Sequence, residues 1–151
     1  MIKLIVAVDE KFGIAKNGII PWNNKEDLKF FKRITSEGHN AVVMGRKTME
    51  TLLNNKLPGR DNYIISSKNL PNTININDIK SLESKYDIVW IIGGASIYKQ
   101  TMEKCIPSVL YISFIPGNYN CDTFLEMNDK YIQYNEMRFN TFLLKLYKCK
   151  K

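Results

Sequence analysis

Histidine and cysteine are scarce in this chain of 151 residues, and their scarcity limits the kinds of site it can hold. His39 is the only histidine, so a Ser-His or Cys-His catalytic pair would need it as the base. Its neighbours, SEGHNAVV, are typical of the turn before a strand, which favours a structural role. The three cysteines, Cys105, Cys121 and Cys149, are widely spaced. This spacing fits neither a metal site nor a disulfide framework, so no metal and a reducing cytoplasm are expected.

Long hydrophobic runs are also missing. No stretch approaches the roughly 18 to 20 apolar residues of a membrane span, so no membrane partner is expected. The N-terminal run IKLIVAV is too short for a signal-peptide core and no small-residue cleavage site follows it, which argues against secretion. Repeats and Gly/Ser-rich linkers are absent, and 44% of the residues are hydrophobic. The sequence therefore predicts one domain over residues 1–151.

Acidic residues are fewer than basic ones, and the formal net charge is +7. This charge predicts attraction to anions. The basic residues are dispersed, so a small phosphorylated or carboxylated ligand suits the charge as well as nucleic acid does. The densest basic run, KLYKCKK, alternates with apolar residues, as in an exposed edge strand with a basic tail. A non-catalytic module that binds nucleotides or nucleic acid therefore stays an alternative.

Buried strands alternate with helical patterns over the first two thirds of the chain. Near-continuous apolar runs predict strands at residues 2–8, 40–45, 62–66 and 87–94. Helical spacing predicts helices at residues 25–35, 48–54, 79–84 and 95–104. Three later strands are predicted at residues 109–115, 131–139 and 141–149, with a tight antiparallel turn near residue 140. The predicted class is α/β: one mostly parallel twisted sheet of about eight strands, with an antiparallel C-terminal edge and helices on both faces.

Polar or glycine residues follow three of these strands, at the edge where such sheets bind ligands. In IIGGASIY two glycines open a helix and would let backbone amides approach a phosphate, although tight packing explains them equally well. In VMGRKTMETL, Arg46 and Lys47 precede Thr48, which can cap a helix, so an anion site and a solvated turn both fit. IISSKNLP places hydroxyls and a cation after a third strand. Together the three strand ends favour a dinucleotide.

The stretch PWNNKEDLKFF starts a helix that Asn23 or Asn24 can cap. Asp27 lies in or just after the first turn, where the helix dipole favours a carboxylate that faces water. Asp27 is also an i, i+4 neighbour of Phe31, which places it at the border of an apolar stripe, where lost hydration raises its pKa. Two interpretations therefore stay open: a helix-stabilising Asp, or an acid suited to proton supply or to binding a cationic heterocycle.

Several motifs in one order resemble dihydrofolate reductase over most of the chain: IVAVDEKFGIAKNGIIPW, PWNNKEDLKFFK, VVMGRKTMETL, LPGRDNYIISS, IIGGASIY and CDTFL. The resemblance implies NADPH-dependent reduction of 7,8-dihydrofolate to 5,6,7,8-tetrahydrofolate, by hydride transfer to C6 with protonation at N5. It also implies a cytoplasmic monomer that binds antifolates such as methotrexate or trimethoprim, without nucleic-acid or membrane partners.

The same resemblance implies roles for individual residues. The catalytic residues would be Asp27, Trp22 and Ser113. Asp27 would bind the pterin and help to deliver the proton, and the hydroxyl of Ser113, which stands where the family usually has Thr, would support Asp27. The substrate site would comprise Ile5, Asp27, Leu28, Phe31, Leu52, Leu57, Arg60 and Ser113, with Arg60 paired to the glutamate-tail carboxylate. The cofactor site would comprise Ala7, Ile14, Asn17, Gly18, Gly45, Arg46, Lys47, Thr48, Ser66, Ser67, Ile92, Gly93, Gly94, Ala95, Ser96, Ile97 and Tyr98. Of these, Arg46 and Ser67 would lie nearest the 2′-phosphate.

Two departures from the family pattern bear on the loop at residues 10–20, which would open and close over the nicotinamide. Cys121 stands where the family usually has Gly, and no Pro follows Phe124. A related alternative is the pyrimidine reductase of riboflavin synthesis, which shares the fold and NADPH. That family lacks the helix that carries Trp22 and Asp27, so these two residues argue against it.

Overall fold

The computed structural model describes residues 1–68 and 70–150. Its strands are β1 (Ile2–Val8), β2 (Gly13–Ala15), β3 (Asn40–Met44), β4 (Asp61–Ile65), β5 (Thr73–Ile74), β6 (Ile88–Ile91), β7 (Val109–Phe114), β8 (Thr123–Phe124), β9 (Tyr131–Arg138) and β10 (Leu143–Cys149). Its α-helices are α1 (Lys25–Ser36), α2 (Arg46–Glu50) and α3 (Ala95–Glu103), and 3₁₀ segments cover Leu53–Asn55 and Ile76–Ser84. The predicted alternation of strands and helical segments is confirmed. The helix predicted at residues 48–54 lies instead at Arg46–Glu50, and the segment predicted at 79–84 is 3₁₀.

Eight strands form one sheet in the order β5-β4-β3-β6-β1-β7-β10-β9. The pairs from β5 to β7 are parallel, whereas β10 is antiparallel to both β7 and β9. The predicted α/β class with an antiparallel C-terminal edge is confirmed. The interpretation of KLYKCKK as an edge strand is wrong, because β10 pairs on both sides and β9 is the edge strand. The basic residues of β10 alternate with Leu144 and Leu146, which pack into the core.

The sheet separates the core into two apolar clusters, and successive residues of β1 contribute to opposite clusters. Leu4 packs with Tyr98 and Met102 of α3, whereas Ile5 packs with Phe30 of α1 and with Trp90. Helices therefore cover both faces, as predicted. Burial of each such side chain stabilises the fold by about 1.5–3 kcal/mol, which explains why near-continuous apolar runs form the central strands.

Three short features differ from the sequence prediction. A two-stranded sheet joins β2 to β8, and β5 adds a short strand next to β4. These strands have only two or three residues, too few for a periodic pattern, and they form because distant segments pair. Thr48 is not a cap, since α2 begins at Arg46 after Gly45, whose backbone is still extended.

Cys105 and Cys149 form a disulfide, so the prediction that the cysteines have no disulfide pairing is wrong. Cys105 lies two residues after the end of α3, Cys149 ends β10, and their Cα atoms are 6.2 Å apart. The sheet topology brings the two together across 44 positions of sequence, which spacing alone does not reveal. Cys121 is free. No helix within the described ranges is long and apolar enough to cross a membrane.

Candidate functional site

Asp27 lies in the first turn of α1 with its carboxyl directed inward. Asn24, one of the two predicted caps, is the N-cap, and its Oδ1 accepts a hydrogen bond from the N–H of Asp27 at 2.9 Å. The Asp27 side chain is only 9% exposed, whereas the following Leu28 is 58% exposed. Burial raises the pKa of Asp27, and a side-chain hydrogen bond with Ser113 of β7 opposes part of this rise. The alternative of a helix-stabilising Asp that faces water is therefore excluded.

Half-buried apolar side chains pack against the cluster that contains Ile5 and Phe30, on the face of the sheet that α1 covers. The set includes Ala7, Trp22, Phe31, Leu52, Leu57 and Ile92. These are most of the residues predicted to line the folate pocket and the nicotinamide site, and the fold brings them together from five segments of the chain. Leu28 is mostly exposed and lies outside the cluster. A surface of half-buried apolar groups beside one buried carboxyl can hold a flat heterocycle.

The first turn of α1 is fastened to the turn between β9 and β10. The Glu26 carboxylate accepts the Thr141 hydroxyl at 2.6 Å and the N–H groups of Thr141 and Asn140 at 2.7 and 3.2 Å. These bonds, led by that from the Thr141 hydroxyl, lower the pKa of Glu26. Asn24 also donates to the Thr141 carbonyl at 3.1 Å. Sequence analysis missed this network, because its two halves are far apart in the chain.

Arg60 connects α1 to the turn that precedes β4. Its Nη1 donates to the Thr35 hydroxyl at 2.9 Å, and its Nε and Nη2 donate to the Pro58 carbonyl at 3.0 and 2.6 Å. The residue is 9% exposed, and burial lowers the pKa of its guanidinium. The guanidinium is held in place by hydrogen bonds without a carboxylate among its partners in the described residues.

Glycines form a cradle at the carboxyl ends of β3 and β6. The N–H of Gly45 donates to the Gly93 carbonyl at 2.8 Å, and the Gly93-Gly94 peptide bond is cis. Gly93 has a φ of +125°, and a Cβ there would lie 3.2 Å from the Tyr98 hydroxyl, so only glycine fits. A Cβ on Gly45 would be in ordinary contact with Ile97 at 3.4 Å. The backbone before the N-terminus of α3 thus has no side chains at Gly93 and Gly94.

Tyr98 packs against Gly93 of this cradle. Its side chain is 5% exposed, and its hydroxyl donates to the Ile5 carbonyl of β1 at 2.9 Å. Burial raises the pKa of Tyr98, so the hydroxyl stays protonated and keeps its donor role. Ala95 and Ile97 are half-buried in the first turn of α3, whereas Ser96 is exposed and accepts a hydrogen bond from Gln100 at 2.8 Å.

The predicted phosphate-binding side chains lie at the same sheet edge and are mostly exposed. Arg46 and Lys47 are exposed in the first turn of α2. Arg46 contacts Glu50 at 3.9 Å, a solvent-exposed pair that contributes little to stability and leaves the guanidinium accessible. Thr48 has its hydroxyl beside Gly93 and Gly94. After β4, the predicted residues Ser66 and Ser67 are half-buried and exposed, respectively.

The loop at residues 10–20 is folded against the segment that contains β8. Its β2 pairs with β8, Ile14 is buried in the core, and the N–H of Asn17 donates to Asp122 at 2.9 Å. Asn17 and Gly18 are exposed and have positive φ angles of 51° and 76°. The predicted loop residues therefore lie on the side of the sheet edge where β1 ends.

His39 lies far from this edge, at the opposite end of β3. His39 lies in the bend before β3, as predicted; its N–H donates to Asp87 at 2.8 Å and its ring packs on Tyr86. Within residues 1–68 and 70–150, no group of three or more His, Cys, Asp or Glu side chains is arranged to hold a metal ion.

Comparisons with known proteins agree with this geometry. A family model described as dihydrofolate reductase matches residues 1–142. Dihydrofolate reductase of Gallus gallus is 37% identical over 141 residues, covering 80% of this chain and 75% of that protein. The bifunctional dihydrofolate reductase-thymidylate synthase 2 of Arabidopsis thaliana is 34% identical over 149 residues, and the match covers 84% of this chain but 26% of that protein.

A solved structure has the same fold. It is dihydrofolate reductase from Enterococcus faecalis in complex with NADP(H) and RAB-propyl, with a TM-score of 0.84 and 26% identity, and the match covers 100% of this chain and 97% of that one. These matches describe a reductase of dihydrofolate, rather than a pyrimidine reductase or a binding module. The chain belongs to the dihydrofolate reductase family, the enzymes that reduce 7,8-dihydrofolate to 5,6,7,8-tetrahydrofolate with NADPH.

Proposed function

We propose that Asp27 is the acid on which dihydrofolate reduction by this chain depends. One observation carries the proposal: Asp27 is buried on the helix whose Phe30 and Phe31 belong to this apolar face, and that burial raises its pKa. Such a carboxyl is matched to the N3 and 2-amino groups of a pterin, which pair with a carboxylate through two parallel hydrogen bonds. Ser113 orients the carboxyl from β7, and Trp22 covers the entrance of α1.

The substrate would lie along the apolar surface next to α1. Ile5, Phe31, Leu52 and Leu57 would contact its rings, with Leu28 at the exposed rim. Arg60 suits the glutamate tail because a guanidinium has five N–H groups and three of them are used by Pro58 and Thr35. The two that are left, one on each terminal nitrogen, match the two oxygens of a carboxylate.

The residues at the edge formed by β3, β4 and β6 fit NADPH. The glycine cradle leaves the backbone before the N-terminus of α3 without side chains, as the close approach of a diphosphate requires. Arg46, Lys47, Thr48, Ser66 and Ser67 supply exposed cations and hydroxyls beside it. We assign Arg46 and Ser67 to the 2′-phosphate. Gly45, Gly93, Gly94, Ala95, Ser96, Ile97 and Tyr98 would hold the diphosphate side, and Ala7, Ile14, Asn17, Gly18 and Ile92 the nicotinamide side.

The chain's own residues would bind, orient and protect the reactants. When bound, NADPH supplies the hydride that reaches C6 of dihydrofolate. The apolar side chains exclude water from the reacting rings, and the loop at residues 10–20 covers them. Asp27 holds the pterin through N3 and raises the basicity of N5, and a water molecule relays the proton to N5.

A variant of Asp27 tests this assignment. With purified protein, NADPH oxidation that requires dihydrofolate and yields tetrahydrofolate measures the reaction. Asp27→Asn should lower kcat at neutral pH by about a hundredfold, a loss typical of a missing general acid, and lower pH should restore part of it. Asp78→Asn is the matched control, because Asp78 also lies in a first helical turn but faces water. Near-normal turnover of Asp27→Asn would overturn the assignment.

We also propose that the chain acts as a monomeric single domain over residues 1–151 in the cytoplasm. The two-cluster core built on a single sheet supports one domain. The NADPH dependence of the family supports the location, whereas the Cys105–Cys149 disulfide removes the argument from unpaired cysteines. Methotrexate and trimethoprim should bind at Asp27, since both carry a diaminopyrimidine ring that pairs with a carboxylate. Light scattering tests the oligomeric state, fractionation the location, and competition with dihydrofolate the antifolates.

A further inference from the structure

Asp9 is a fully buried carboxylate whose contacts join two loops. It directly follows β1 and is 0% exposed. Its Oδ1 accepts the N–H groups of Lys11 at 2.9 Å and Gly13 at 2.8 Å, both in the loop at residues 10–20. Its Oδ2 accepts the N–H of Tyr119 at 3.0 Å, from the segment between β7 and β8. One side chain therefore ties the two segments to the end of the central strand.

This carboxylate is held by amides rather than by a cation. None of the ion pairs found in the described ranges includes Asp9. Burial alone would raise the pKa of Asp9, but the N–H groups of Tyr119, Gly13 and Lys11 lower it overall, so the group is charged at neutral pH. Each oxygen is needed, because an amide donor without its acceptor in a buried position costs about 1–3 kcal/mol.

Cys121 completes the same arrangement. Its Sγ lies 3.6 Å from Oδ2 of Asp9. A Cβ added to Gly13 would lie 2.4 Å from the Cβ of Cys121, so a residue larger than glycine at position 13 would displace this side chain. The unusual cysteine thus fills the space above Gly13 and adds a fourth donor to Asp9.

Tyr119 connects Asp9 to the proposed substrate site. The ring of Tyr119 meets the ring of Trp22 edge to face, with centroids 5.4 Å apart. Trp22 belongs to the half-buried apolar set that packs against the cluster of Ile5 and Phe30. The hydrogen bond from the backbone N–H of Tyr119 to Asp9 holds this residue in place. Loss of that bond would therefore move the aromatic ring that packs against Trp22.

We propose that Asp9 is a positioning residue for the reduction: by fixing the segment of Tyr119 to the end of β1, it seats the Tyr119 ring against Trp22. The proposal rests on the proposed roles of Trp22 and Asp27. Asp9 itself is buried away from the substrate and acts only through the position of Tyr119.

Asp9→Asn is the first test. Asparagine has one acceptor oxygen where aspartate has two. Its NH₂ group must therefore face the backbone N–H donors of one of the two segments, and the hydrogen bonds to that segment are lost. The expected result is a kcat reduced by about ten- to a hundredfold, as misplacement of supporting groups produces, with the KM for dihydrofolate within about threefold. Asp87→Asn is the matched control, because Asp87 also accepts a backbone N–H, that of His39, at the other end of the sheet.

Tyr119→Ala keeps the backbone N–H but removes the ring, and it separates positioning from general stability. It should reproduce most of the loss in kcat, and Asp9→Asn should add little in the Tyr119→Ala background. In a Trp90→Phe background Trp22 is the only tryptophan left, and both substitutions should shift its emission alike. The proposal would be overturned if the losses in kcat of the two substitutions multiply in the double variant. A normal kcat in Tyr119→Ala would also overturn it, and that result does not depend on whether Asp9→Asn folds. Asp27→Asn, assayed in parallel, shows separately whether the assigned site is right.

Discussion

The carboxyl of Asp27 and the hydroxyl of Ser113 interact across the sheet edge, one from the first turn of α1 and the other from β7. Ser113 is 1% exposed, and its backbone is fixed between Ala7 of β1 and Leu144 of β10. The hydroxyl therefore stabilises the charged form of Asp27 against the effect of burial. How far the pKa of Asp27 rises depends on this contact.

Ser113→Ala should move the pH dependence of the reaction. Without the hydroxyl, only burial acts on Asp27, so its pKa rises further and the pH above which kcat/KM declines moves upward. Ser113→Thr keeps the hydroxyl and should retain the wild-type profile. The measurement is kcat/KM for dihydrofolate across pH in the three proteins. An unchanged profile in Ser113→Ala would mean that this hydroxyl does not act on Asp27.

Asp27→Asn should also reveal the cost of burying this carboxyl. Because the pKa of Asp27 in the fold is raised above its ordinary value of 3.8, its contribution to stability is fully present below that value and is lost as pH rises through the folded pKa. The variant has no such loss. Its melting temperature relative to wild type should therefore increase from acid to neutral pH, by about 2–4 °C for each kcal/mol. Parallel melting curves at all pH values would contradict the burial of a titrating Asp27.

Arg46→Ala should weaken the preference for NADPH over NADH. A charge-assisted hydrogen bond to the 2′-phosphate contributes about 1.5–3 kcal/mol, so the ratio of kcat/KM for the two cofactors should fall by about ten- to a hundredfold, mainly through KM for NADPH. Glu50→Gln is a useful control, because it removes the exposed partner of Arg46 but keeps the guanidinium. If Arg46→Ala affects both cofactors equally, another residue recognises the phosphate.

Arg60→Lys should discriminate between folates with and without a glutamate tail. An ammonium group cannot replace the planar fork, so KM should rise by about tenfold or more for dihydrofolate and change little for a pterin without the tail. The melting temperature should also fall, since Arg60 joins Thr35 to Pro58. Equal effects on both substrates would show that these internal bonds are the whole role of Arg60.

Cys149→Ser should destabilise the chain. A crosslink across 44 positions contributes about 4 kcal/mol in the loop-entropy account, which corresponds to roughly 10 °C in melting temperature. Cys105→Ser should lower it equally, because either substitution removes the same bond, and a reductant should lower the melting temperature of wild type but of neither variant. Equal melting temperatures with and without reductant would show that the bond contributes nothing to stability.

Much of the fold was predictable because its strands are apolar on both faces and its helices are periodic. Strand β1 and helix α1 were located to within one residue, since burial dictates their patterns directly. The short strands β2, β5 and β8 and the Cys105–Cys149 bond depend on partners distant in sequence, and no local pattern encodes them. The same is true of Asp9, whose burial becomes visible only when the loops around it are placed.

The site shows the same division. Asn24 as the cap and Asp27 at the border of the apolar stripe followed from helix geometry. Whether Asp27 faced water or protein did not, because that depends on β7 and on the half-buried set from other segments. The resemblance to a family supplied the roles that spacing left open, and those of single residues stay predictions until the variants are measured.

The attachment of the first turn of α1 to Asn140 and Thr141 has a consequence for folding during synthesis. During synthesis α1 leaves the ribosome long before the turn between β9 and β10, and β1 must wait for β6 and β7 before it has neighbours on either side. Asp27 therefore gains its final surroundings only when nearly the whole chain is available. A nascent chain stalled before residue 130 should contain α1 yet show no antifolate binding, and antifolate capture should begin only after the last hairpin has emerged.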